Sequence, residues 1–181
     1  VNLRLAAAKV YTPHRLRVSR LRDLFALTAE AFGVSVPDIP RCRASGLLES
    51  YARFTGDAAA AWVDSGRPAD VMERLRNAGF SFGAGLRREL GIRSRSDVME
   101  AARLLYRFIG IDFRGEADGR IVIRRCLFSG FYSPEACLLM SALDDGVVAG
   151  LAGGGSLVFT GRITGGGPAC EARFFFPENT P

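Results

Sequence analysis

Three of the four cysteines, Cys126, Cys137 and Cys170, fall in the last third of the chain, between Arg120 and Phe176, together with the carboxylates Glu135, Asp144 and Asp145. A cysteine acts as a nucleophile or a metal ligand through its thiolate. A carboxylate beside it can bind a metal, orient the thiolate or serve as a general base. Asp144 follows Cys137 by seven residues, so the two share one face if the helix between them is continuous. Arg162 and Thr164, in the strand ahead of Cys170, are suited to a substrate carboxylate. Each of these residues also has a plain structural reading. Cysteine packs readily as a small buried hydrophobe, a carboxylate can hydrogen-bond a neighbouring turn, and Arg162 and Thr164 can form the solvated face of an edge strand. Spacing leaves a shared thiol site and core packing both open.

Other chemistries fit the residues poorly. Zinc ribbons and fingers need cysteines paired two residues apart, a spacing this chain lacks. His14, the single histidine, follows Pro13 in a polar segment and reads as a surface residue. A Cys–His or Ser–His pair would have to use it. The run Gly150 to Gly155 lacks the lysine and hydroxyl residue of a phosphate loop, and it leads into a strand, so it reads as a tight turn. No cofactor is implied, and the spacing leaves a metal open.

These residues need a fold to hold them, and 181 residues suit one domain, 1–181, better than two. At this length roughly 70% of the unfolded surface can be buried. The chain is 48% apolar and 24% charged, ordinary for a globular domain. Its net charge of +5 is carried almost wholly by arginine, with Lys9 the single lysine. Those arginines are interspersed with acids, which argues against nucleic acid, whose usual footprint is charge clustered on one face. No stretch approaches the ~20 apolar residues of a membrane span. No secretory signal is visible, so the cysteines read as reduced thiols and the expected location is cytoplasmic. A small-molecule substrate or ligand is the expected partner, with a homodimer left open.

Residues 1–110 read as mainly helical and 111–176 as a strand–helix–strand–strand unit. Leu16, Leu21, Leu24, Phe25, Leu27 and Phe32 recur at helical spacing, with Gly33 as the stop. Val36 to Pro40 reads as a turn, because proline disfavours helix in the residue before it. A second helix is expected from Ala44 to Val63 with a break near Gly56. A third runs from Pro68 to about Ala78, since Gly79, Gly83 and Gly85 weaken its continuation to Leu90, although close backbone packing would also explain them. Ser94 to Ile109 is the strongest helix, with Ser96 as its cap. Ile111 to Arg114 and Arg120 to Phe128 read as strands around a turn at Ala117–Gly119. Ser133-Pro134-Glu135 opens a helix, and Val147 to Leu151 is set apart as a turn after Gly146. Ser156 to Thr164 and Ala169 to Phe176 complete the strands. The expected fold class is α+β, a helical N-terminal part packed on a small antiparallel sheet with one long helix in the C-terminal part.

One arrangement of residues goes further. Cys126-Leu127-Phe128-Ser129-Gly130-Phe131-Tyr132-Ser133-Pro134-Glu135-Ala136-Cys137, then Ala142-Leu143-Asp144-Asp145-Gly146, then Arg162-Ile163-Thr164 to Cys170 resembles the L-2-amino-thiazoline-4-carboxylic acid hydrolase family. The likeness covers about a third of the chain. It implies hydrolysis of a carbon–nitrogen bond in a small cyclic amidine-like substrate, with Cys126, Cys137, Asp144 and Cys170 as the catalytic set. It also implies that Tyr132, Arg162 and Thr164 contact the substrate, with Arg162 holding a carboxylate. The same ending looks like the 4-vinyl reductase (V4R) domains, small-molecule-binding modules with a Cys-x-x-x-Gly-x-x-x-Cys tail. The first cysteine of that tail falls near Arg162 or Ile163 and is absent here.

Overall fold

The structure is a computed structural model and describes residues 2–10, 13–38 and 44–178, with the backbone alone at 14 and 44. The side chain of His14, Cys42 and the end of the turn expected at Val36 to Pro40 lie outside the described residues. The helical part runs α1 Leu3–Val10, α2 His14–Phe32, α3 Ala44–Asp64, α4 Pro68–Leu90 and α5 Arg95–Phe108. Then come β1 Ile111–Gly115, β2 Arg120–Cys126, α6 Pro134–Ala152, β3 Ser156–Gly161 and β4 Cys170–Phe175. The sheet is antiparallel throughout in the order β1-β2-β4-β3. The α+β class, with helices on a small sheet and a long C-terminal helix, is therefore as expected.

The sheet alternates as a one-sided sheet should. Phe113, Ile121, Ile123, Cys170, Ala172 and Phe174 are buried, while Arg114, Arg120, Arg124, Glu171 and Arg173 face out. Helix α6 fills the centre. Ser133 caps it by accepting the Ala136 N–H at 3.1 Å, Pro134 follows at the first helical position, and from Gly146 to Ala152 every residue is buried.

Glycine decides how closely α6 meets α4. A Cβ on Gly79 or Gly83 would strike the Leu143 or Val147 carbonyl, and one on Gly146 or Gly150 would strike the Arg76 or Phe80 carbonyl. The two backbones therefore pack directly on each other. This corrects two expectations at once: α4 continues through its glycines to Leu90, and α6 continues through Gly146 to Ala152. The cost of glycine inside a helix, about 1 kcal/mol each, is offset by backbone-to-backbone packing that no larger residue allows. Gly56 likewise does not break α3; a Cβ there would press on the Phe131 carbonyl and the Tyr132 ring.

Four further differences have local causes. The cap of α5 is Ser94, not Ser96: its Oγ accepts the Asp97 N–H at 3.2 Å, and Asp97 accepts the Arg93 N–H in return. Strand β2 stops at Cys126, and Leu127–Gly130 form a 3-10 turn. Strand β3 stops at Gly161 after a register shift, so Arg162 and Thr164 are not strand residues; Ile163–Gly165 form a second 3-10 turn. Helix α1, with Leu5 buried, is an element that the expected helices, the first of them starting near Leu16, did not include.

Candidate functional site

Both irregular turns open onto one cavity. Its volume is about 90 Å³, against the roughly 10–15 Å³ that a single water needs. Helices α2 to α6 wall it with Leu24, Phe82, Leu105, Met140, Leu143 and Val147, and the end of the sheet closes it. The lining is mainly apolar. Its exceptions are Cys126, Cys137, Cys170, Asp144, Ser129, Thr164 and three tyrosines, Tyr51, Tyr106 and Tyr132.

Six of the seven expected site residues thus converge: Cys126, Cys137, Asp144, Cys170, Tyr132 and Thr164. The continuous α6 turns Cys137 and Asp144 to the same face. Cys126 arrives from the end of β2, and Cys170 from the start of β4. The Sγ of Cys170 accepts the Ile163 N–H at 3.4 Å, pinning the turn that brings Thr164 to the cavity. Arg162 lies outside the lining. Its guanidinium donates to Ser141 Oγ at 2.7 Å and stacks over the Phe159 ring at 4.3 Å. Its charge still reaches inward, favouring the ionised forms of Cys137 and Asp144.

Asp144 is the polar centre. Burial pushes its carboxyl up to about 6, because a carboxylate loses hydration in an apolar enclosure. The Tyr106 hydroxyl, which donates to Oδ1 at 2.8 Å, and the Arg162 charge pull it down; the neighbouring Asp145 charge pushes it up. Asp145 itself has a different task. It pairs with Arg76 Nε at 2.6 Å and accepts the Leu157 N–H at 2.7 Å, tying α6 to α4 and β3. Glu135 stays exposed in the first turn of α6.

The thiols are held in the opposite state from an activated nucleophile. Burial pushes Cys126 up to about 12, and the Asp144 charge adds to this. The Phe128 and Ser129 N–H groups pull it down, though neither caps the sulfur with ordinary hydrogen-bond geometry. Burial likewise raises Cys137, against smaller opposing pulls from Thr164 and Arg162. Reactive cysteines occupy electropositive, partly open settings; these two line an apolar enclosure and stay protonated near neutral pH. No group of His, Cys, Asp and Glu among the described residues is placed to hold a metal ion.

Tyr51 and Tyr106 are site residues that sequence reasoning did not single out. Each sits at an apolar helical position and reads as core. The available signal was chemical: a buried tyrosine brings a hydroxyl that needs a partner. Tyr106 finds Asp144. Tyr132 finds Thr55 Oγ1 at 2.6 Å. Tyr51 Oη finds none, and neither does Thr164 Oγ1. Burial raises Tyr51, and the nearby Thr28 hydroxyl pulls it down, although the two are outside hydrogen-bonding geometry.

Fold and site together define a helix-rich α+β protein with a small, mainly apolar enclosure whose lining includes one partly buried carboxylate, three phenols and three thiols. Compared with known proteins, the chain matches no family model, no curated protein and no solved structure. Among the described residues, no helix is long and apolar enough to cross a membrane.

Proposed function

We propose that the protein hydrolyses a carbon–nitrogen bond in a small cyclic amidine-like substrate, with Asp144 handling the proton. The observation that carries this is Asp144 itself: a carboxyl lining a mainly apolar cavity of about 90 Å³, where loss of hydration pushes it up to about 6. A general base is most effective when it titrates near the working pH. The convergence of Cys126, Cys137 and Cys170 on the same enclosure, in the arrangement that resembles the thiazoline-carboxylate hydrolases, supports the substrate class.

The chemistry balances without a cofactor. Water adds to the carbon of the protonated amidine and gives a proton to Asp144 as the carbon–oxygen bond forms, leaving a neutral tetrahedral adduct. The ring carbon–nitrogen bond then breaks as the adduct's hydroxyl oxygen becomes the carbonyl; the leaving nitrogen takes the proton back from Asp144, and the hydroxyl proton passes through the same carboxylate to the product amine. The products are a carbonyl and a free amine on one opened chain. A protonated amidine would also be drawn to the Asp144 carboxylate. The thiols, held protonated, act here as polarisable walls, and Arg162, outside the lining, acts on the site through its charge. Free thiols at Cys126, Cys137 and Cys170 favour a reducing setting such as the cytoplasm.

A second reading, a binding module without turnover, draws on the mainly apolar lining, which is typical of ligand pockets in general. Incubation with 2-aminothiazoline-4-carboxylate separates the two. Ring opening supports the hydrolase; saturable binding with no product supports the module.

A further inference from the structure

We infer that Tyr51 is a second polar anchor of this pocket, donating its hydroxyl proton to an acceptor atom on a ligand that presents an N–H to Asp144. The inference deepens the reading above and rests on it for the location of the site. It follows from where each neighbouring hydroxyl proton goes. Tyr106 gives its proton to Asp144 Oδ1. Thr55 gives its proton to the Tyr51 carbonyl at 2.8 Å, so Tyr132 must be the donor in the 2.6 Å contact between their oxygens. Thr28 gives its proton to the Leu24 carbonyl at 2.7 Å. Tyr51 is the exception: the residue is 2% exposed, it lines the cavity from α3, and its buried hydroxyl has no hydrogen-bond partner.

A buried hydroxyl left unpaired is costly, and native structures rarely keep one without a reason. Here the reason lies in the cavity. Asp144 supplies acceptor capacity beyond the oxygen that Tyr106 occupies, and Tyr51 supplies a donor. Thr164 Oγ1, the other buried hydroxyl without a partner among the described residues, stands beside Cys137 as a third polar point. A ligand that meets this set carries a hydrogen-bond acceptor and an N–H on one small frame: a cyclic amidine, amide or urea. A carboxylate at this depth would face the Asp144 charge, so the buried end of the ligand is neutral or cationic.

Tyr51→Phe tests this, because it removes the oxygen and keeps the ring contacts with Phe25 and Phe128, at 5.0 Å and 6.1 Å between centroids. Binding of 2-amino-2-thiazoline, pyrrolidin-2-one and cyclopentene is measured by calorimetry on wild type and variant. The two polar probes are expected to bind wild type and to weaken about tenfold in the variant, the scale of one hydrogen bond. Cyclopentene is expected to bind both proteins equally, and the ligand-free variant to melt at the same temperature or higher. Equal affinity of the polar probes for both proteins overturns the inference. So does a wild type that binds none of them, or that prefers cyclopentene. The outcomes also separate the two proposals. Binding that depends on Tyr51 without any ring opening leaves the anchor and removes the hydrolase. Ring opening that depends on Asp144, with kcat and KM both indifferent to Tyr51→Phe, does the reverse.

Discussion

The Tyr106 hydroxyl donates a 2.8 Å hydrogen bond to Asp144 Oδ1 inside a cavity that is otherwise mostly hydrocarbon. That contact favours the carboxylate, while burial favours the acid. Removing it with Tyr106→Phe keeps the stacking on Phe113, whose ring centroid lies 5.0 Å away. The Asp144 carboxyl should then titrate above its present value of about 6. The pH–rate profile for ring opening is the measurement: its acid limb should move to higher pH in the variant. An unmoved limb would separate Asp144 from the rate.

Asp144 also has a signature in stability. Its folded pKa, about 6, lies above the ordinary 3.8, so the folded state holds the proton more tightly than the unfolded one. Its contribution is therefore most favourable below about 3.8 and is lost as pH rises through about 6. The span corresponds to a penalty on the order of 3 kcal/mol at neutral pH. Asp144→Asn keeps an acceptor for Tyr106 and removes the charge. Its melting temperature should exceed that of wild type at pH 7.5, and the difference should shrink on acidification toward pH 4. Calorimetry on both proteins across that range checks the sign.

The thiols should be slow. With Cys126 pushed up to about 12, its thiolate fraction at pH 7 is on the order of 10⁻⁵, against about 3% for a free cysteine. Alkylation of the native protein by iodoacetamide should leave Cys126 and Cys137 largely unmodified until denaturant is added. Cys126→Ser, Cys137→Ser and Cys170→Ser should each retain turnover within about tenfold, less than the 10²–10⁴ that loss of a proton-transfer group costs. Rapid native labelling of Cys126, or loss of turnover in Cys126→Ser on the Asp144→Asn scale, would return the nucleophile role to the thiol.

The seam between α4 and α6 gives a matched pair of substitutions. A Cβ on Gly83 would run into the Val147 carbonyl, whereas one on Gly85 meets nothing. Gly83→Ala should lower stability by about 1–3 kcal/mol through overpacking. Gly85→Ala should raise it by about 0.5–1 kcal/mol through helix propensity. Urea midpoints of the two variants decide this, and similar values for both would mean that the helices are not in backbone contact.

What the sequence makes legible here follows the range of the interaction. The Ser133-Pro134 start of α6 is readable because a cap is made by residues three apart. The one-sided sheet is readable because burial alternates along each strand. The continuity of α4 is not, since Gly79 and Gly83 are paired with Gly146 and Gly150 more than sixty residues away, and each group alone looks like a helix breaker. Cys137 and Asp144 can be placed together from helical periodicity. Tyr51 and Tyr106 cannot be told from core aromatics by position, because their hydroxyls acquire meaning only when α3 and α5 fold against α6. Arg162 illustrates the converse: in a regular strand it would point at a substrate, but the shift after Phe159 hands it to Ser141 and Phe159 instead.

The most direct measurement is ring opening of 2-aminothiazoline-4-carboxylate by the wild-type protein and by Asp144→Asn, followed from pH 4.5 to 8. Turnover by wild type should rise with pH through about 6, where Asp144 gives up its proton, and should fall by roughly 10²-fold or more in Asp144→Asn across the range. Equal turnover by the two proteins, or none by wild type despite saturable binding, would contradict a catalytic Asp144.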